Sequence, residues 1–204
     1  IRKGGWGLVP SPGWDGATDW KGYVPFEELP SVLNPPSGRI VNSNNAITGD
    51  DYPYFLSFDW SPGYRARRIL DRIDEKAQSI HGTGKIQQDF VSEMARQLLP
   101  LMRDIEPDGE FGRQALAKLE KWNGKMSRRR PEPLIFSAWL LELNRAVYAD
   151  ELGELFNDYL TLRPQFIVSV LTRRQGWCDN VNTSEPEDCQ DQLRFALKQA
   201  LDKL

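Results

Sequence analysis

The residues of this chain whose types and spacing best suit chemistry are two adjacent asparagines, Asn44 and Asn45. They end residues 38–45, which read G-R-I-V-N-S-N-N, an apolar, strand-like run that stops in small amides. A strand end can hold a side-chain NH2 group still, and a fixed donor polarises a carbonyl group or stabilises an oxyanion. The same residues also suit a turn, because asparagine tolerates positive φ and bonds its own backbone. The pattern therefore leaves two interpretations open, an oxyanion donor and a structural turn.

The two cysteines, Cys178 and Cys189, lie on either side of a polar loop between two predicted helices. A zinc site needs four ligands at short paired spacings, and the single histidine, His81, is distant in the sequence. We therefore predict a disulfide, which implies an oxidising compartment. Two unrelated free thiols are the alternative. His81 itself stands in a loop-like H-G-T-G segment without a G-x-S-x-G motif in the chain, so it receives no catalytic role.

The remaining charged clusters favour structural interpretations. The carboxylate pairs at residues 27–28 and 50–51 are adjacent in sequence rather than facing each other, so they do not support acid and base catalysis of the glycosidase type. The arginine run at 128–130 lies in a proline-flanked segment, which predicts a solvated loop.

The composition excludes two classes of partner. The chain has 204 residues, 26 basic and 29 acidic, with a net charge of −3, which gives no electrostatic reason to bind nucleic acid or an anionic membrane. No apolar run approaches the ~20 residues that span a bilayer. The chain begins with Ile1 rather than methionine, and we expect it to start inside a longer polypeptide.

The N-terminal third, which carries the asparagines, is built from turn formers. Residues 1–63 hold 8 of the 14 prolines, 9 of the 16 glycines and 4 of the 7 tryptophans. We predict short strands over 22–26 and 39–42, with a turn at 35–38 entering the second. The tryptophans are too apolar to remain in water and need a partner surface.

The pattern becomes helical from Ser61 onward. Ser61 is a good N-cap and Pro62 suits the first helical position, which places Arg65 in the first turn. The predicted buried face of this helix carries Ile69, Leu70, Ile73 and Ala77.

Five further helices are predicted downstream. They cover residues 85–104 with a kink at Pro100, 111–122, 134–160 with a break near Ala149 and Asp150, 164–176, and 185–204. The last opens with a capping box, Ser184-x-x-Glu187, and buries Leu193, Leu197, Leu201 and Leu204.

The order of several motifs resembles the β subunit of the penicillin acylase family, whose members are N-terminal-nucleophile amidohydrolases. The motifs are D-W-x-G-x-x-P-F, N-P-x-x-G-x-I-x-N-x-N-N, D-Y-P and W-x-x-G-x-R in the first third. Beyond it the resemblance thins to Q-x-D-x-x-S-x-x-A-x-x-L-x-P-L over residues 87–101 and L-x-x-W-x-G over 119–124.

The resemblance assigns roles to two residues. Asn44 matches the family's oxyanion-hole asparagine, and Arg65 matches the arginine that braces this asparagine and the nucleophile region. The alternative for Arg65 is a surface salt-bridging residue at a helix start. The nucleophile is an N-terminal Ser, Thr or Cys activated by its own amine, a part that Ile1 cannot play, so it is expected upstream of this chain. The family also implies a periplasmic or secreted location, a small amide substrate, and the remaining α- and β-subunit segments of one precursor as partners.

No cofactor is expected in this chain, although the family implies that calcium can bind the complete enzyme. Asp50 and Asp51 could reach such an ion, and a turn at these residues is the alternative. The acyl group of the substrate is not specified by these residues.

The predicted fold class is α+β and predominantly helical. A β- and turn-rich active-site segment, residues 1–63, precedes a helical domain, residues 64–204, as part of an αββα N-terminal-nucleophile hydrolase. The alternative function is a non-catalytic helical binding module derived from the family, with the tryptophan-rich segment as its docking face.

Overall fold

The computed structural model describes residues 1–74, 78–159 and 161–204, and it divides into two compact units, Ile1–Asp71 and Arg72–Leu204. The described residues form seven α-helices. They are α1 (Tyr64–Asp74), α2 (Ile80–Gln87), α3 (Glu93–Met102), α4 (Gly109–Glu120), α5 (Glu132–Leu152), α6 (Pro164–Thr172) and α7 (Cys189–Asp202). Short 3₁₀ turns cover Phe26–Glu28, Gly153–Asn157 and Gln175–Cys178. The predominantly helical class is confirmed.

The first unit is held by isolated contacts rather than by regular elements. An antiparallel bridge joins Arg2 to Trp20, and the terminal amine of Ile1 donates to the carbonyl oxygen of Gly22 at 2.8 Å. The ring of Trp6 contacts Phe55, with centroids 4.8 Å apart and the rings edge to face. Many apolar side chains of this unit stay exposed, among them Trp14 and Trp20, for which the sequence predicts a partner surface.

The two strands predicted for this unit are wrong. Neither 22–26 nor 39–42 forms a ladder with any segment among the described residues. A strand is stable only when a neighbour supplies hydrogen-bond partners for its backbone, and Pro25 removes one donor from the first run. The predicted turn at 35–38 is present, since the Gly38 N–H donates to the Pro35 carbonyl oxygen at 2.8 Å and Gly38 has a φ of 66°.

The second unit has its core around α5. The side chains of Phe136, Trp139 and Leu143 are fully buried on this helix. α7 packs along it through Leu193 and Leu197, and the Trp139 indole N–H donates to the Leu193 carbonyl oxygen at 2.9 Å. The predicted apolar face of α7 is confirmed except at Leu204, which is exposed. None of the described helices is long and apolar enough to span a membrane.

Two predicted helices have different bounds because other side chains cap them. The single helix expected over 85–104 is two helices, since Ser92 caps α3 by accepting the Ala95 N–H at 3.1 Å; Pro100 lies within α3. α7 begins at Cys189 with Asp188 as its N-cap, not at 185. Glu187 instead accepts the Asn180 N–H at 3.0 Å and so closes the preceding loop.

Smaller differences affect four other helices, including α6, which ends at Thr172 rather than at 176. α1 begins at Tyr64, two residues later than the Ser61 cap predicts, and Leu70 is 39% exposed while Ile69 and Ile73 are half-buried. α5 ends at Leu152, where Gly153 takes a φ of 54°, rather than near Ala149. α4 starts and ends two residues earlier than predicted. Ala77 and Leu160, both assigned to helices from the sequence, lie outside the described residues.

Candidate active site: an asparagine amide aligned by an arginine

Asn44 lies at the tip of the loop that follows residues 38–42. Its backbone has a φ of 61°, in the left-handed region that asparagine enters more readily than most residues. The Asn44 N–H donates to Oδ1 of Asn42 at 3.1 Å, and the Asn44 carbonyl oxygen accepts the Ser61 N–H at 2.8 Å. Both backbone polar groups of Asn44 are therefore bonded within the first unit.

Arg65 fixes the side chain of Asn44. Its Nη2 atom lies 2.7 Å from Asn44 Oδ1 and 3.0 Å from the carbonyl oxygen of Ser43. A guanidinium group only donates hydrogen bonds, so the atom that faces it must be the amide oxygen and not the amide nitrogen. The Asn44 NH2 group consequently points away from Arg65.

The Asn44 NH2 group keeps its hydrogen-bonding capacity. Among residues 1–74, 78–159 and 161–204, none accepts a hydrogen bond from Nδ2, and the Asn44 side chain is exposed. The loop thus presents two N–H donors whose orientation is set by a charged partner, and charge-assisted hydrogen bonds of this kind are short and strong. This arrangement can donate to an oxygen atom that gains negative charge.

The placement of Arg65 follows from local sequence. α1 begins at Tyr64, so Arg65 stands in its first turn, as predicted. The Ser61 N–H bond to Asn44 draws the start of α1 against the loop. Ser61 therefore contributes a loop contact at the position where a helix cap was predicted.

The left-handed φ of Asn44 is also what the turn interpretation requires. The two interpretations are compatible in geometry, because the turn is what directs the side chain. They differ only in whether the NH2 group acts on a substrate.

The disulfide prediction is confirmed. Cys178 and Cys189 are bonded, with their Cα atoms 4.9 Å apart, and the bond joins the Gln175–Cys178 turn to the start of α7. No free thiol remains in the chain.

The contacts of the other candidate residues from the sequence do not involve Asn44 or Arg65. His81 is in the first turn of α2 and exposed, so its segment is helical rather than the predicted loop. Glu28 accepts the Tyr54 hydroxyl at 2.5 Å, and this bond raises the pKa of Tyr54. The Tyr52 hydroxyl donates to the Glu28 carbonyl oxygen at 2.9 Å, so both tyrosines tie the 3₁₀ turn to their own segment.

Asp50 and Asp51 lie in a turn in which the Tyr52 N–H donates to the Gly49 carbonyl oxygen at 3.2 Å. Within the described part of the chain, no group of three or more His, Cys, Asp or Glu side chains could hold a metal ion. These two carboxylates alone do not make up a calcium site.

Sequence reasoning missed the backbone contacts of Asn42 and Asn45. The prediction places Asn42 in a strand and treats Asn45, with Asn44, as an oxyanion donor or a turn residue. In the structure Asn42 accepts the Asn44 N–H, and Asn45 Oδ1 accepts the Ser43 N–H at 3.0 Å. The signal was the N-x-N-N spacing, because asparagine side chains bond backbone groups two residues away.

Comparison with known proteins decides the family. The family model for penicillin amidase matches residues 1–204, the whole chain. This chain belongs to the penicillin amidase family. Among its relatives is the penicillin acylase 2 proenzyme of Pseudomonas sp. (strain SE83), 33% identical over 150 residues, which cover 72% of this chain and 19% of that protein.

Two further relatives are similar to this chain to about the same degree. The acyl-homoserine lactone acylase QuiP of Pseudomonas aeruginosa is 31% identical over 167 residues, covering 74% of this chain and 20% of that protein. The penicillin G acylase of Escherichia coli is 31% identical over 160 residues, covering 69% and 18%. The chain thus spans about a fifth of the length of the curated relatives it matches.

A solved structure confirms the fold. A thermostable penicillin G acylase from Alcaligenes faecalis matches with a TM-score of 0.67 and 21% identity, over 96% of this chain and 41% of that chain. The fold of this chain is therefore that of the matching part of a penicillin G acylase.

Proposed function

We propose that this chain is part of the β subunit of a penicillin-acylase-type amidohydrolase, and that Asn44 supplies an oxyanion donor in it. The 2.7 Å contact between Arg65 Nη2 and Asn44 Oδ1 carries this proposal, because it turns the amide donors outward at an exposed loop tip. Family membership supports the reaction class, since the named relatives are acylases.

The proposed reaction is hydrolysis of a linear amide through an acyl-enzyme. A nucleophilic hydroxyl oxygen supplied by another segment attacks the carbonyl carbon, its proton passes to the α-amino group of the same residue, and the carbonyl π electrons move onto oxygen. The intermediate collapses by breaking the C–N bond, and the amine leaves with that proton. Water then attacks the ester in the same way and releases the acid.

Asn44 acts when the carbonyl oxygen becomes negative. Its NH2 group donates more strongly to the tetrahedral oxyanion than to the neutral carbonyl, so its contribution appears in the transition state. Arg65 holds the amide oxygen and does not itself touch the substrate. It also bonds the Ser43 carbonyl oxygen, so the loop and the side chain are oriented by one group.

The wider setting is proposed from the family. The remaining α- and β-subunit segments of a processed precursor would complete the enzyme, and the disulfide suits a periplasmic or secreted location. Calcium is proposed only for the complete enzyme. The acyl group, whether arylacetyl, long-chain or another, is left to segments outside this chain.

Replacing Asn44 in the complete, processed enzyme tests the proposal. Asn44→Gly keeps a residue that accepts a φ of 61° and removes the whole side chain, including the amide that bonds Arg65. We expect kcat to fall about 10²–10³-fold while KM changes little, because the lost bond forms mainly in the transition state. Asn44→Ala should show the same loss in kcat together with a lower melting temperature, since alanine is strained at this φ.

Asn34→Ala is the matched control. Asn34 is an exposed asparagine of the same unit with a φ of 48°. The Asn34→Ala variant should lose stability as Asn44→Ala does, yet it should retain the wild-type kcat per folded molecule. An Asn44→Gly enzyme with normal kcat would show that Asn44 is a turn residue only.

The second candidate function is a non-catalytic binding module, and the exposed aromatic side chains of the first unit favour it. Trp14 is 87% and Tyr23 93% exposed. The residues encoded before Ile1 separate the two candidates. A Ser, Thr or Cys released by self-cleavage supports the enzyme, whereas a signal peptide leading directly into Ile1 supports the module.

Because the proposal places the nucleophile in another segment, it also predicts that the 204-residue chain alone is inactive. It supplies an oxyanion donor without the nucleophile. Its rate with phenylacetyl and long-chain acyl amide reporters should equal that of buffer, and turnover that is lost on mutating one of its own serines would contradict the assignment.

A further inference from the structure

We propose that Asn42 is a positioning residue for the oxyanion amide of Asn44, an inference that rests on the function proposed above. Its side-chain oxygen accepts the Asn44 N–H at 3.1 Å. This contact acts on the backbone of the residue whose side chain is to face the substrate. Asn42 therefore acts through Asn44 rather than on the reacting atoms.

The backbone of Asn44 requires such a restraint. A φ of 61° is sparsely populated by residues other than glycine, and an unrestrained loop would return to negative φ for part of the time. That change reorients the Cα–Cβ bond of Asn44. The side-chain amide then no longer points in the direction that it has when it is bonded to Arg65. The Asn42 bond raises the population of the competent backbone and so removes a conformational cost from turnover.

Asn45 restrains the other side of the same turn. Its Oδ1 accepts the Ser43 N–H at 3.0 Å, and its Nδ2 donates to the Ala46 carbonyl oxygen at 2.9 Å. The asparagines on both sides of the tip thus bond backbone groups within the loop, whereas the amide oxygen of Asn44 bonds Arg65 and its NH2 group stays unbonded among the described residues. The three amides of the N-x-N-N segment divide into one donor and two restraints.

Kinetics of Asn42 variants in the complete, processed enzyme test this role. Asn42→Ala removes the acceptor, and we expect kcat to fall about fivefold, the population change that one typical hydrogen bond provides. KM should stay within twofold. Asn42→Ser keeps a neutral acceptor for the N–H two residues on and should recover most of kcat.

Asp15→Ala is the control for an ordinary loss of such a bond. Asp15 Oδ1 accepts the Ala17 N–H at 2.9 Å in an exposed loop of the same unit, with the same two-residue spacing. This variant should change the melting temperature by a similar amount and leave kcat unchanged.

A double-mutant cycle with Asn44→Gly separates this inference from the proposed function. If Asn42 acts through Asn44, Asn42→Ala should lower kcat in the wild-type background and have no further effect in the Asn44→Gly background. If Asn44→Gly lowers kcat, and Asn42→Ala either has no effect on kcat or lowers it equally in both backgrounds, the positioning role is overturned. The oxyanion assignment then remains intact. A normal kcat for Asn44→Gly overturns both.

Discussion

Arg65 and Asn44 are 21 positions apart in the sequence, yet Nη2 of one lies 2.7 Å from Oδ1 of the other, and the same nitrogen reaches the Ser43 carbonyl oxygen. One guanidinium group therefore holds both the loop backbone at Ser43 and the side-chain amide of Asn44. The consequence is that a change at Arg65 should alter the site without removing the proposed donor.

Substitution of Arg65 should impair turnover and maturation together. We expect Arg65→Ala to lower kcat by about 10–100-fold, the range for a lost hydrogen bond to a charged group, and to reduce the fraction of processed precursor. Arg65→Lys should be intermediate, since an ammonium group lacks the planar fork. The measurements are kcat per processed molecule and the ratio of precursor to product on a gel.

The control for Arg65 is Arg67→Ala, an exposed arginine on the same helix. It should leave both quantities unchanged. If Arg65→Ala proved as active as Arg67→Ala, the bracing role would be wrong.

Reduction of the Cys178–Cys189 disulfide should destabilise the helical unit. The bond closes a short loop, with a sequence separation of 11, for which the chain-entropy estimate is about 2–3 kcal/mol. The free energy of unfolding in urea, compared between the wild type and Cys178→Ser/Cys189→Ser, measures it. Intact mass before and after reduction shows whether the protein isolated from its compartment contains the bond; two freely titrating thiols would contradict it.

Glu151 should make stability depend on pH. Partial desolvation, reinforced by the neighbouring Asp150 carboxyl, raises the pKa of Glu151 to about 7, although much of this residue is exposed. A carboxyl group whose pKa is higher in the folded state binds its proton more tightly there, so folding loses stability as pH rises from the ordinary carboxyl value to about 7. Above that range this contribution should be constant.

Glu151→Gln should remove this pH dependence. The variant keeps a neutral side chain at all pH values, so its melting temperature should fall less between pH 5 and pH 8, approximate limits chosen to bracket the shift. Glu154→Gln, an exposed glutamate in the following turn, is the control and should retain the wild-type slope. Parallel curves for wild type and Glu151→Gln would refute the assignment.

Trp139 should be more important for stability than any exposed tryptophan. It is fully buried and donates to the Leu193 carbonyl oxygen, so Trp139→Phe should cost about 1–3 kcal/mol through the lost bond and the space left behind. Trp14→Phe, at an exposed position, should cost almost nothing. Comparison of the unfolding free energies of the two variants tests this prediction. An equal loss of stability in both would contradict the position of the core around Trp139.

The sequence predicted those features that depend on local or motif-bearing residues. The helical class, the disulfide and the position of Arg65 in the first turn of α1 agree with the structure. The strands at 22–26 and 39–42 could not be judged locally, because a strand depends on a partner that the sequence does not name. The start of α7 was misplaced because Ser184 and Asp188 both offer capping boxes, and only the loop contact of Glu187 decides between them.

The site itself was predicted in outline. Asn44 and Arg65 were chosen from motif position, and the structure brings them into contact. Their catalytic roles stay predictions. The restraint by Asn42 depends on a bond between a side chain and a backbone two residues on, which periodicity does not reveal.

The bonds that Ser61 and Arg65 make to Asn44 also close a loop, since they join the two ends of residues 45–60. A segment whose ends are clamped can change in length at small entropic cost, because loop closure depends only weakly on length. An insertion or grafted peptide at residues 47–48, which avoids the contacts of Tyr52, Tyr54 and Phe55, should therefore be tolerated without moving the asparagine. This loop is a place where a designer could add a recognition element beside the site while leaving its chemistry alone.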